Sequence, residues 1–274
     1  MINPKNALIS ALIFILYPFT GYGANTIAHD DLLIFRNVSE TIKNLKRISY
    51  HYSREFTYPS ENYHSKSEGE MYIDFSNEND LVGFRYQYWN SATFSIFNNS
   101  EIFDGNIQDK TINTTNNLKK SSFEGRSPIY NSIITLRNIF PLIIEDNSVA
   151  KYVSDTLIAN KSYYLLTFET QNKFPDYLGT GFSTTTQDLR FYQRLIVDKE
   201  TLLPLTLLQS KKGSDDLNRT DFTEIKIDPI QPPEKTWYYS SYLKDYKLET
   251  QQLPTIIKAG QVAPDFNLTN QESS

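Results

Sequence analysis

Ile48-Ser49-Tyr50-His51-Tyr52-Ser53-Arg54-Glu55-Phe56-Thr57-Tyr58 alternates large apolar or aromatic side chains with small or charged ones, and only Arg54 breaks the apolar phase. Side chains leave a strand on alternate faces, so sustained period two predicts a strand buried on one side. Just before it the period is different. Leu32, Phe35, Val38, Ile42 and Leu45 recur at helical spacing, with Asp30 and Asp31 in front and Lys43, Lys46 and Arg47 behind. Charges placed to match the helix dipole at both ends predict an amphipathic helix from His29 to Lys46.

After the deciding stretch, period two returns in Met71, Ile73 and Phe75, in Val82, Phe84, Tyr86 and Tyr88, and in Phe94 and Ile96. Turn chemistry punctuates these strands at Ser76 to Asp80, at Asn98-Asn99-Ser100 and at Asp104-Gly105-Asn106. A second helix is predicted from Ser127-Pro128, with proline at its first position, through Ile129, Ile133, Leu136 and either Ile139 or Phe140 to a stop before Pro141. Strands follow over 149–157, 162–170, 189–198, 203–211 and 221–228, with a hairpin turn at Asp198-Lys199-Glu200-Thr201. With roughly nine to eleven strands and no regular strand-helix alternation, the expected fold is mainly β with a few helices. It is a curved antiparallel sheet, an incomplete barrel, wrapped around two or more helices. Pro229, Pro232 and Pro233 then predict an extended linker over 229–253.

Composition removes several function classes. The 274 residues include no cysteine, which excludes disulfides, thiol nucleophiles and cysteine-based metal sites. A net charge of −5 lacks the basic footprint of a protein that binds nucleic acid. No G-x-S-x-G, H-E-x-x-H or phosphate-binding glycine loop occurs, and no cofactor is expected. His51 and His64 are read as solvent-facing strand residues rather than metal ligands, and Glu68 and Glu70 as a solvated face rather than a catalytic carboxylate pair.

The N-terminus reads as an address. Lys5 precedes an apolar run from Ala7 to Leu16, which is followed by Pro18 and the small residues Gly21, Gly23 and Ala24. That order is a secretory signal peptide over 1–23, too short to span a bilayer and leaving no transmembrane anchor after cleavage. The expected location is periplasmic or elsewhere in the cell envelope.

Three segments carry a resemblance. Ser67-Glu68-Gly69-Glu70-Met71-Tyr72-Ile73 is similar to the glycine-led second strand of the periplasmic lipoprotein-carrier (LolA-like) superfamily. Leu195 to Leu205 resembles that family's strand, acidic turn, Leu-Pro and strand hairpin, and Arg219 to Ile227 resembles the strand that follows. The resemblance implies a half-barrel domain over 24–228 that binds an apolar ligand, a lipid or acyl chain, or an envelope protein, and performs no chemistry. A second resemblance is shorter. Gly260-Gln261-Val262-Ala263-Pro264-Asp265-Phe266-Asn267-Leu268 is similar to the opening of thioredoxin-like (TlpA/AhpC-type) disulfide reductases. It implies that 254–274 is the truncated, disordered start of such a domain. The alternative function is then an accessory part of a thiol-disulfide oxidoreductase whose catalytic half lies elsewhere.

The candidate ligand-binding residues are the aromatic set Tyr50, Tyr52, Phe84, Tyr86, Tyr88 and Phe94, with Ile96. They are expected to line the concave face of the sheet, where either the helices fill the concavity and the aromatics are core, or a half-open barrel holds one apolar ligand.

Overall fold

The structure is a computed structural model and describes residues 29–76 and 81–249. Both the signal peptide and the Gly260–Leu268 segment lie outside the described residues. The chain begins with helix α1 (His29–Lys43), followed by strands β1 (Arg47–Tyr58), β2 (Tyr63–Asp74), β3 (Arg85–Trp89), β4 (Thr93–Phe97), β5 (Ile102–Asn106) and β6 (Thr111–Thr115). Helix α2 (Ile133–Glu145) separates these from β7 (Ala150–Ile158), β8 (Lys161–Gln171), the short pair β9 (Lys173–Pro175) and β10 (Phe182–Thr184), β11 (Arg190–Asp198), β12 (Pro204–Lys211) and β13 (Leu217–Ile227). A last strand, β14 (Lys247–Leu248), runs parallel to β6, whereas every other pairing is antiparallel. The main sheet has the order β14-β6-β5-β4-β3-β2-β1-β13-β12-β11-β8-β7. It is curved and open, mainly β with two α-helices, as the alternation predicts.

Two hairpin series therefore meet at a non-local seam, where β1 pairs with β13 from Ile48 opposite Ile227 to Thr57 opposite Leu217. Against the inner face lie α1, through Phe35, Val38 and Ile42, and α2, through Ile133, Ile134, Leu136, Ile139, Phe140 and Ile143, all buried. The two helices also bind each other by polar contact. Arg137 on α2 donates from Nη1 to the carbonyl oxygens of Ile42 (2.9 Å) and Leu45 (3.1 Å), satisfying acceptors that the end of α1 leaves open.

Three elements differ from expectation. Helix α2 starts at Ile133, not at Ser127-Pro128, because Ser132 is the residue whose Oγ accepts the Ile134 N–H. Residues 123–132 instead form successive turns, with Asn131 left-handed at φ 56°. The helix also runs through Pro141 to Glu145. A proline there forfeits a single backbone bond, and burial of Ile139, Phe140 and Ile143 outweighs that loss. Finally, Asp104-Gly105-Asn106 is strand rather than turn. Gly105 is needed there because the Phe94 ring from the neighbouring strand lies directly over it, where a Cβ would collide.

The stretch expected as a linker is also folded over much of its length. Short 3-10 turns at Glu234–Trp237 and Tyr239–Tyr242 pack on the outer face of β2 to β5. Trp237 is fully buried there against Tyr72, with the Arg85 guanidinium 4.1 Å from its ring centroid. Asn98 Nδ2 donates to the Trp237 carbonyl at 2.9 Å. The prolines at 229, 232 and 233 start the segment, but they do not keep four following aromatics, Trp237, Tyr239, Tyr242 and Tyr246, off an apolar surface.

Candidate functional site

The seven candidate residues do not share one face. Tyr50, Tyr52, Phe84, Tyr86 and Tyr88 belong to the inner core with the helices. Phe94 and Ile96 belong to the outer cluster under Trp237. Register explains the split: Tyr86 stands opposite Phe97, whereas Ile96 stands opposite the outward Gln87 and Phe94 opposite Trp89. All seven are at most 5% exposed. Phe84 is ringed by Phe75, Tyr86, Phe97 and Phe123 at centroid distances of 5.9–6.4 Å. Three of the four tyrosine hydroxyls find protein partners, and that of Tyr50 is buried without one. Tyr86 pairs with Ser95 Oγ at 2.9 Å, Tyr88 donates to the Glu68 carbonyl at 3.2 Å, and Tyr52 reaches the carbonyls of Ser127 and Tyr130 at 3.1 Å. Tyr50, Tyr52, Phe84, Tyr86 and Ile96 are packed core, and Tyr88 and Phe94 stand at its border.

A cavity opens where that core ends. Beyond Tyr52 the inward phase of β1 continues to Arg54 and Phe56. Thr220 stands opposite Arg54 and Asn218 opposite Phe56. One strand further on, Leu207 and Gln209 flank these, and then Leu195 and Gln193. Along each strand the inner face thus changes from apolar to amide and guanidinium. Arg54, Asn218, Gln209 and Gln193 line a cavity of about 650 Å³, together with aromatic residues from other elements: Tyr58, Tyr130, Phe174, Tyr177 and Phe191. A volume of this order holds a small organic ligand.

The walls are fixed by named contacts. Asn131 Nδ2 donates to Gln209 Oε1 at 2.6 Å, which ties the turn before α2 to the sheet. The loop between β9 and β10 is pinned to α2, since Asn138 Nδ2 donates to the Leu178 carbonyl at 2.8 Å and Leu178 is buried. Gly179, at φ 73°, lets that loop close on α2, because any side chain would strike the Thr135 carbonyl. Asp176 Oδ1 accepts from the backbone N–H groups of Leu178 and Thr180, both at 3.0 Å, and holds the loop's own shape.

Charge is distributed unevenly over this cavity. Glu61 and Glu124 are exposed at its edge, and Asp176 and Asp216 are partly exposed. Asp216 accepts from Ser60 Oγ at 3.2 Å. Arg54, by contrast, is only 8% exposed. Its guanidinium lies 4.4 Å from the Phe56 centroid and 5.5 Å from that of Tyr130. Burial pushes the Tyr52 hydroxyl beside it up to about 12, against the pull of the Arg54 charge.

Other polar clusters offer less. His51 Nδ1 meets Glu70 Oε1 and His64 Nε2 meets Glu55 Oε1, both at 2.8 Å, in partly exposed pairs on the outward phase of β1 and β2. A second cavity, about 420 Å³, is bordered by Tyr88, Phe94 and the Arg126–Asp104 ion pair. Among the described residues no group of three metal-ligating side chains comes together, and no helix is long and apolar enough to cross a membrane.

No protein-family model matches the chain, and no curated protein sequence does. Solved structures match in outline. LprF from Mycobacterium bovis is 8% identical, with 76% of this chain and 97% of that one aligned at a TM-score of 0.44. The lipoprotein LppX from Mycobacterium tuberculosis is 11% identical over 74% of this chain and 99% of its own, at 0.41. The Pseudomonas aeruginosa MucA/MucB complex matches at 12% identity and a TM-score of 0.40, with 76% of this chain spanning 60% of that one. The likeness is coarse, and the fold rests on the strand order and register above.

The sequence reading passed over the residues that line the larger cavity. A signal was present in Arg54, the single charged residue on the apolar phase of β1, and in Gln193 and Gln209 on the inward phases of β11 and β12.

Proposed function

We propose that this chain is a binding domain without chemistry of its own, and that its ligand is an apolar or acyl chain held in the cavity between β1, β11 to β13 and the β9–β10 loop. The observation that carries this reading is the 650 Å³ volume walled by Tyr58, Tyr130, Phe174, Tyr177 and Phe191. Aromatic walls supply apolar contact at little cost in side-chain entropy. Of the residues first expected to do this, Tyr88 and Phe94 border the smaller cavity rather than this one, and the other five are packed in the core. Saturable binding of a fluorescent fatty acid by the purified protein is the expected result, together with weaker binding after Phe191→Asp. A wild-type protein that neither binds the probe nor carries lipid in native mass spectrometry overturns the reading.

We further propose export to the cell envelope, on the strength of Lys5, the apolar run Ala7 to Leu16 and the small residues to Gly23. N-terminal sequencing of the protein recovered from cells is expected to start near Ala24. An intact Met1 terminus on the envelope-localised protein excludes cleavage.

A further inference from the structure

We propose that the floor of this cavity is an acid-group site, in which Arg54 receives the single carboxylate at the end of a chain-like ligand. The inference rests on the binding reading above and names the polar end of the ligand.

Arginine is rarely buried without an acidic partner, because removing its charge from water is costly unless the charge is compensated. Arg54 is more than nine-tenths buried, and among the described residues no carboxylate stands in ion-pair contact with it. Phe56 and Tyr130 occupy positions over the guanidinium. Stacked rings satisfy the faces of the group, and the Tyr52 hydroxyl approaches part of its N–H edge. Nε is buried with no hydrogen-bond partner. The two strand positions beside it repeat the pattern: Thr220 Oγ1, directly across the strand pair, and Asn218 Oδ1, the next inward residue, are also buried and unpartnered. Arg54 and Asn218 both line the cavity, and two such atoms on its floor are what a ligand's polar end would satisfy; Thr220 lies buried behind them.

Chemistry selects the group. A carboxylate accepts from the in-plane edge of Arg54, while Asn218 Oδ1, an acceptor, is left for a hydroxyl or a water beside the acid. The edge selects what carries it. Glu61, Glu124, Asp176 and Asp216 line the same cavity against Arg54 and Lys211, so the lining carries an excess of negative charge. Free anions are repelled, and multiply charged phosphate most strongly. A singly charged acid gets past these carboxylates when an apolar chain filling the aromatic part of the cavity supplies the rest of the affinity.

The test compares palmitate, hexadecanol and acetate as competitors of a neutral fluorescent aliphatic probe. Wild-type protein is expected to prefer palmitate over hexadecanol by about tenfold or more, the size of a charge-assisted hydrogen bond. Arg54→Gln should bring the affinity for palmitate down to that for hexadecanol in the same variant, and acetate should not displace the probe. Folding of Arg54→Gln is checked by its thermal transition, and Arg54→Lys, which keeps the charge but not the planar fork, is expected to retain part of the preference. Equal affinity for palmitate and hexadecanol in wild type, or a preference that survives Arg54→Gln in full, overturns the acid site and leaves the binding reading standing. Displacement by acetate overturns the requirement for a chain. If neither long-chain compound binds, the binding reading itself fails.

Discussion

Trp237→Ala is expected to destabilise the protein by about 3–5 kcal/mol, the range for removing a large aromatic side chain from a packed interior. The indole is 1% exposed, rests on Tyr72 and carries the Arg85 guanidinium on its face. Arg85 in turn is bound to the fully buried Asp74, from Nη2 at 3.0 Å and from Nε at 3.1 Å. Removing the ring therefore opens a void beside a buried ion pair and admits water to it. For a domain of this size the melting midpoint should fall by roughly 6–20 °C, at about 2–4 °C per kcal/mol. Tyr242, stacked on Phe94 at 5.2 Å, and Tyr246 would also lose the anchor that holds their segment down. A change of only a degree or two would mean that residues 229–249 do not dock on the sheet in solution.

Phe84→Ala is expected to cost a similar amount, about 3–5 kcal/mol. The contrast with a ligand pocket lies in what else changes. A side chain lining a pocket can be shortened with little loss of stability and a large loss of binding. Phe84 touches four other rings inside the core, and the larger cavity is lined by different residues. The folded fraction of the variant should accordingly bind an aliphatic probe as well as the wild type does, while thermal unfolding moves down strongly. A stable variant with abolished binding would return the ligand to the aromatic core.

Fold class was legible in the sequence because it depends on periodicity, which alternation in β1 to β4 and the helical spacing of α1 state directly. Phase was less legible. Phe94 and Ile96 alternate as cleanly as Tyr86 and Tyr88 do, yet which phase faces inward is fixed by pairing register, and Tyr86 meets Phe97. A sheet covered on both sides has two apolar faces, so hydrophobicity alone cannot choose between them. The second cover, Trp237 to Tyr246, was hidden by its proline-rich lead. The cavity was missed for a related reason: its floor consists of the polar interruptions of otherwise apolar strands, Arg54, Gln193 and Asn218, and each read singly is a flaw in a pattern. Their common location follows only from the registers of β1, β13, β12 and β11.

The seam between β1 and β13 also sets an order of events as the chain emerges. Strands β1 to β6 form a run of neighbouring pairs and can assemble early, but the free side of β1 has no partner until Leu217 to Ile227 has been delivered. Throughout that interval β1 presents an open, aromatic strand edge, the kind of surface that recruits strands from other molecules. His51, Glu55 and the two hydroxyl-bearing residues at 49 and 53 place polar groups along its outward phase, and Arg54 places a charge in the inward one. A charge on the inward phase of a nascent edge is one of the devices that discourage stacking on other molecules, because an apolar surface laid over that face would meet a cation.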